Sequence, residues 1–211
     1  MYISGIVLSG GNAKRMNGEK PFLMIKNRYL IENSINLLKN NKNIRSIMIV
    51  LKNSNLINND EFKIHKKFLN KHNGHISITW DIKPNMGPLM GLYSGMLTVG
   101  ISHWVVLLPC DMPFITDVSL NNLIKLIYEV DKDCQCIVPK HENGYIEPLF
   151  AMYRSDCMPI IKKLLTNTGG KKSMRLLIDN VNTYYVPTEK IDPSKKSFIN
   201  INYLKDLKLI K

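Results

Sequence analysis

Three short stretches of this chain set charged side chains beside glycine or proline. The first, residues 6–22, reads IVLSGGNAKRMNGEKPF. Gly10 and Gly11 let the backbone come close to a ligand, and successive N–H groups in such a turn cradle phosphate oxygens. Lys14, Arg15 and Lys20 add cationic heads behind the glycine pair. Arginine grips a phosphate bidentately, whereas lysine acts as a mobile point charge. The spacing fits neither common glycine loop. A dinucleotide loop needs G-x-G-x-x-G and a P-loop needs G-x-x-x-x-G-K-[ST]. Ala13 stands where the first P-loop glycine would be, and Glu19 follows Gly18. GGKKS at 169–173 fails as well, because Leu165 occupies the first glycine position. The glycine pair alone also fits a plain strand-to-loop turn; the basic residues behind it favour an anion.

The second stretch, VVLLPCDMPFI at 105–115, carries Asp111 at the end of an aliphatic run, with Pro109 and Pro113 stiffening the chain around it. A carboxylate so placed suits Mg²⁺, which takes few carboxylates and completes its shell with water and phosphate. A turn or cap aspartate is the alternative. In the third stretch, TWDIKPNMGPLMGLYSGM, Asp81 also ends a strand-like run. Gly87, Gly91 and Gly95 recur at four-residue intervals; they serve close helix–strand packing or let a ligand approach the helix start, which favours an anion or a purine edge.

These residues need a scaffold that brings them together, and the pattern between them describes one. Strands are expected at 3–9, 45–51, 75–80, 103–109, 134–140, 145–153 and 183–187, the first continuous and aliphatic as in a buried parallel sheet. Helices are expected at 29–40, 85–100 (opened by Pro88), 119–130 (capped by Thr116 or Asp117), 156–166 (capped by Ser155), 173–180, and 203–210 with Asn202 as cap. The stretch 52–74 is polar, with an amphipathic piece at 62–69. Alternating strands and helices predict one α/β domain with a mostly parallel central sheet and helices on both faces. Ligands of such folds sit at the carboxyl ends of strands, here near Ser9, Trp80 and Leu108.

Composition narrows the partners. Lys and Arg outnumber Asp and Glu by 29 to 17, a formal charge of +12, which suits an anionic partner. No basic–aromatic repeat or helix-turn-helix pattern points to nucleic acid. No apolar run is long enough to span a membrane, and the N-terminus has neither the basic nor the apolar region of a secretory leader, so a cytoplasmic location is expected. Cys110, Cys134, Cys136 and Cys157 form no C-x-x-C pair and read as buried free thiols. The histidines lie mostly in polar stretches and read as solvated or strand-edge residues.

Taken together, the motifs resemble those of the molybdenum cofactor guanylyltransferase family. Its L-A-G-G-x-x-x-R-M-G-G-D-K signature reads here from Leu8 to Lys20, with Ser9, Asn17 and Glu19 as departures. Its G-P-L-x-G stretch appears at 87–91, its P-C-D-x-P-[FY]-I stretch at 109–115, and its F-x-N-x-N stretch at 198–202, without the T-P-E that usually follows. The resemblance implies a single three-layer Rossmann-like nucleotidyltransferase domain over 1–211, its nucleotide-binding half about 1–115 and its acceptor-binding half about 116–211. It implies transfer of GMP from GTP to the phosphate of molybdopterin, with Mg²⁺ as cofactor and pyrophosphate released. By the same resemblance, Leu8, Ser9, Gly10 and Gly11 meet GTP through the loop backbone; Lys20 and Arg15 meet its phosphates. Asp81 and Asp111 also contact GTP, and Asp111 holds Mg²⁺. Asn53 is assigned to the nucleotide, and Asn200 and Asn202 to the pterin side. Transient contact with molybdopterin-delivering or molybdoenzyme-maturation proteins is implied too. A cytidylyltransferase or other small-molecule nucleotidyltransferase, and a nucleotide-binding module without turnover, remain alternatives.

Overall fold

A computed structural model of the chain describes residues 1–9, 20–25, 27–51, 76–83, 86–100, 103–167, 172–203, 206 and 208. Gly10, Gly11, Lys14, Arg15 and Asn53 lie outside the described residues, as does the piece at 62–69.

Strand β1 (Ile3–Leu8) is buried along its whole length. Both its edges are paired in parallel, to β4 (Ile44–Leu51) and to β6 (Trp104–Pro109). A strand with both edges paired and both faces covered needs apolar side chains throughout, which is why ISGIVL does not alternate. β5 (Ser77–Trp80) joins β4, also in parallel. Beyond β6 come β8 (Ala151–Arg154), β7 (Cys136–Lys140) and β9 (Thr183–Pro187), completing a seven-stranded sheet of order β5-β4-β1-β6-β8-β7-β9. β8 pairs antiparallel with both its neighbours, β6 and β7, while β7 and β9 run parallel. A short hairpin of β2 (Met24–Ile25) and β3 (Arg28–Tyr29) stands apart from this sheet.

Side chains alternate between two cores. Val7, Ile49 and Leu108 face one, shared with Ile31, Ile35 and Leu38 of helix α1 (Leu30–Asn40) and Leu120 and Leu123 of α3 (Asp117–Lys125). Ile6, Leu8, Val50 and Leu107 face the other, shared with α2 (Pro88–Thr98), α4 (Met158–Thr166) and α5 (Met174–Ile178). The result is the expected three-layer α/β domain. Glycines bring the layers close. A Cβ on Gly95 would stand 2.7 Å from Ile6 Cδ1 and 3.1 Å from Val50 Cγ2, and one on Gly5 would stand 2.6 Å from Leu38 Cδ1. The repeated glycines of the third stretch therefore serve packing at Gly95, while Gly87, with φ of 75°, turns the chain into α2.

Several local expectations shift. The run 145–153 is not one strand: Ile146 makes an isolated bridge to Lys140, and β8 begins only at Ala151. Glu147 and Pro148 explain the break, since a half-buried acid is a poor strand residue and a proline has no N–H to give the ladder. Ser155 does not cap α4; it opens a 3-10 turn, and Cys157 stands at the N-cap. Thr116 is the cap of α3, accepting from Ser119 N–H at 3.1 Å, and Lys125 passes into a 3-10 turn. Helix α6 (Thr188–Ile191) and a 3-10 turn at Lys196–Phe198 were not expected. The helix expected at 203–210 lies mostly outside the described residues; at its start the Asp206 carboxylate accepts the N–H groups of Asn202 and Tyr203. All four cysteines are free and buried. No helix among the described residues is long and apolar enough to cross a membrane.

Replacing Gly95 by Val forces a branched side chain onto Ile6 and Val50. We expect a loss of about 2–3 kcal/mol, or about 4–12 °C in Tm. Leu97→Val on the exposed side of the same helix is expected to stay within about 0.5 kcal/mol. Thermal unfolding followed by circular dichroism checks both; equal melting of Gly95→Val and the parent would refute the packing role.

Candidate active site

Strand order reverses at β1. Going outward from it, β4 and β5 lie on one side and β6 begins the other. At such a switch point the connections leave in opposite directions and open a crevice at the strand ends. Here the two ends are locked together: Cys110 N–H donates to Leu8 O at 3.3 Å. Ser9 is buried, and both its N–H and its hydroxyl donate to Val50 O, at 3.1 and 2.7 Å. What Ser9 adds over the usual alanine of the signature is thus a second tie between β1 and β4. Its N–H is engaged within the sheet, so the backbone groups it offers a ligand reduce to its carbonyl. Ser34, buried on the apolar side of α1 with Leu30, Ile31, Ile35 and Leu38, donates its hydroxyl to Pro109 O at 2.9 Å and pins the end of β6. A serine in an apolar stripe was the sequence signal for that contact.

Asp111 emerges directly beyond these locks. Its carbonyl accepts Ile201 N–H at 2.8 Å, which brings the late Asn-x-Asn segment alongside. Lys20 opens a 3-10 turn anchored by buried Pro21 and Phe22. Its ammonium donates to Asp111 Oδ2 at 2.8 Å and to Asn202 Oδ1 at 3.2 Å. The two partners of the ion pair keep only 15% and 25% of their side-chain exposure, so the pair is shielded more than an ordinary surface bridge. Three residues singled out from separate motifs therefore meet at one point. The side-chain oxygen of Asn202, a residue the family resemblance assigns to the pterin side, faces Lys20. Asn200 lies on the other side of Ile201, half-buried.

Asp81 leaves the end of β5, its N–H bonded to Leu51 O at 3.0 Å. Its Oδ1 stands 3.5 Å from where a Cβ on Gly91 would lie, a point also 2.9 Å from Leu8 Cδ2. Gly91 thus leaves room between Leu8 and the carboxylate. Burial pushes the Asp81 carboxyl up to about 6 from 3.8. Three strand spacings, roughly 14 Å in all, separate the ends of β5 and β6. Asp81 and Asp111 are too far apart to share one metal ion, but a nucleotide is long enough to reach both. Among the described residues no group of three or more His, Cys, Asp or Glu could hold a metal.

The sequence reading missed a further pair. His141 follows β7 and its Nε2 lies 2.8 Å from Glu147 Oε1. The ring also meets the edge of Phe198, with centroids 5.4 Å apart. His141 is thus partnered, not simply solvated. Burial raises the Glu147 carboxyl most, His141 lowers it, and the charge on Asp111 raises it further. The signal available was an acid followed by proline inside an otherwise apolar run.

Comparison with known proteins gives the family and the fold. A family model described as the MobA-like NTP transferase domain matches residues 5–182. A protein of Methanocaldococcus jannaschii named probable molybdenum cofactor guanylyltransferase is 39% identical, over 97% of this chain and 96% of the relative. The chain belongs to the molybdenum cofactor guanylyltransferase family. It is accordingly a nucleotidyltransferase. A relative from Aliivibrio fischeri, named molybdenum cofactor guanylyltransferase, is 27% identical over 97% of this chain and 93% of its own. The crystal structure of molybdopterin-guanine dinucleotide biosynthesis protein A from Archaeoglobus fulgidus superposes with a TM-score of 0.75 at 24% identity, covering 98% of this chain and 95% of that one. The fold extends to a 4-diphosphocytidyl-2C-methyl-D-erythritol synthase from Anaerococcus prevotii, with a TM-score of 0.69 at 15% identity, over 99% of this chain and 93% of that one. In the family's terms, the signature lysine and the aspartate of the P-C-D motif are the two groups that pair here.

The raised Asp81 carboxyl has a consequence for stability. Below pH 3.8 the group is protonated in folded and unfolded chains alike, and above about 6 it is ionised in both. Between these values the folded protein holds a proton that the unfolded chain has lost, so stability falls as pH rises through the window. Asp81→Asn escapes that loss. Its Tm advantage over the parent is expected to grow from pH 4 to pH 6 and then stay constant; a pH-independent difference would contradict the assignment.

Proposed function

We propose that this enzyme transfers GMP from GTP to the terminal phosphate of molybdopterin, releasing pyrophosphate. The observation that carries the reading is the meeting of Lys20 and Asp111 at the β1/β6 switch point, with Asp81 standing at the far end of a nucleotide-sized span. Attack by an acceptor phosphate oxygen on the α-phosphorus forms one P–O bond and breaks the bond to the bridging oxygen of pyrophosphate. Both reactants are anions, so the protein's work is positioning and charge neutralisation. The nucleophile is already ionised and needs no general base.

Each residue has a part in this reading. Lys20, with Arg15 of the glycine loop, neutralises charge gathering on the leaving pyrophosphate. Gly10 and Gly11 bring backbone N–H groups to the phosphates. Asp81, when ionised, accepts from the donor edge of the nucleotide; guanine offers paired N–H donors that a carboxylate matches. Asp111 and Asn202 would hold Mg²⁺, for which a carboxylate and an amide oxygen converging on one cation are suitable donors. The metal supplies Lewis-acid stabilisation of phosphate charge. Residues beyond 115, including the His141–Glu147 pair, would face the acceptor. A cytoplasmic location, and contact with proteins that deliver molybdopterin or receive the dinucleotide, belong to the same proposal.

A panel of nucleotides tests this reading by thermal shift. With Mg²⁺ present at saturating nucleotide, about 100 times Kd, GTP is expected to add about 2.7 kcal/mol of stability. That corresponds to a Tm rise of about 5–10 °C, with CTP and ATP giving far less. Asp111→Ala is expected to melt within a few degrees of the parent without ligand, yet to lose the Mg²⁺-dependent part of the GTP shift and the metal-dependent turnover. Preference for CTP, or near-normal turnover of Asp111→Ala, would overturn the reading.

A further inference from the structure

We infer that the Lys20 ammonium occupies the cation seat of the nucleotide-free enzyme, and that Asn202 Oδ1 is the second protein oxygen of that seat. The inference rests on the metal–nucleotide reading of this site and adds an exchange of partners to it.

Three parts of the chain build the seat. Lys20 Nζ lies 2.8 Å from Asp111 Oδ2 and 3.2 Å from Asn202 Oδ1, across 91 and 182 residues of sequence. A carboxylate and an amide carbonyl are the oxygen donors that hard cations take, and Mg²⁺ needs only one or two such protein ligands when phosphate and water complete its shell. That accounts for a metal seat where the described residues hold no group of three acidic, His or Cys ligands. The ammonium is a compact charge with several donors. It satisfies the same two oxygens when no metal does.

The seat is also held from outside. Ile201 N–H is bonded to Asp111 O at 2.8 Å, and Ile201 is fully buried. The N–H groups of Asn202 and Tyr203 both go to Asp206 Oδ2 at 2.8 Å. These bonds hold the backbones of residues 111 and 202 near one another whether or not Lys20 stands between their side chains. Lys20 itself sits on a turn whose next two residues, Pro21 and Phe22, are buried, so its long side chain can swing while its backbone stays.

Arrival of a metal–nucleotide then swaps two ion pairs. Lys20 leaves Asp111 for a phosphate, and Asp111 and Asn202 would then hold the metal. Every charge has a partner before and after, so neither half-buried group is left uncompensated. Metal alone must displace Lys20 with nothing to receive it and binds weakly. Metal and nucleotide therefore raise each other's affinity by the same factor.

Binding of Mn²⁺ to nucleotide-free protein, followed by loss of the free-ion electron paramagnetic resonance signal, tests this directly. Lys20→Met is expected to bind Mn²⁺ at least about tenfold more tightly than the parent, and Lys20→Gln to behave likewise. Lys20→Arg keeps a cation and shows no gain. Adding Asn202→Ala to Lys20→Met is expected to return the affinity to within about threefold of the parent. Melting curves confirm that each variant is folded, and Lys20→Gln carries the comparison should the methionine variant unfold. Equal affinity in the parent and both neutral variants, or a gain that survives Asn202→Ala, would overturn the inference. The probe is the metal alone, so a failed GTP preference would sink the proposed reaction without touching this comparison.

Discussion

The ion pair between Lys20 and Asp111 closes 91 residues of sequence into 2.8 Å. Much of the surrounding architecture serves to bring those two groups to the same place. Asp111 reaches the carboxyl edge because β6 runs parallel to β1 in tight register, Leu8 opposite Pro109. Lys20 reaches it because the chain leaving β1 returns through a turn anchored by buried Pro21 and Phe22. A part-buried carboxylate beside strand-end carbonyls would be costly alone; the ammonium compensates it, and the late segment at 200–202 adds a polar neighbour. The charge arrangement is thus set by the fold and forms the centre of the site.

Packing and site are joined through the same strands. Gly95 lets α2 lie close on Ile6 and Val50, and Gly91 leaves space between Leu8 and Asp81. One helix therefore sets both the tightness of the core and the room at the far end of the crevice. On the opposite face, Ser34 ties α1 to Pro109, so the carboxylate-bearing strand end is held by both layers. These are short, directional contacts between rigid elements, which is what a site working by positioning requires.

Lys20 and Asp111 could be read from the sequence because their neighbours are distinctive. Glycine before the one and prolines around the other mark turns at the ends of apolar runs. The parallel sheet was legible for a related reason: strands buried on both faces cannot hide their aliphatic character. Asn202 was marked by its motif, but its hydrogen bond with Lys20 was not, since no local pattern reports a contact across 182 residues. The 145–153 run looked like a strand because most of its residues are apolar, although Glu147 and Pro148 belong to a turn before β8. His141 and Glu147 escaped notice because the chain had to fold before their pairing acquired meaning. Ser9 read as a mild departure from alanine; only the sheet reveals its hydroxyl on Val50.

The most direct test of the account follows the α-phosphate. Purified enzyme is incubated with Mg²⁺, molybdopterin and GTP labelled at the α-phosphorus, and the products are separated and weighed by mass spectrometry. The account predicts label in a molybdopterin–GMP dinucleotide, one pyrophosphate released per dinucleotide, and no release when molybdopterin is omitted. Label recovered only as free GMP or unreacted GTP, or CMP transferred in preference to GMP, would contradict it.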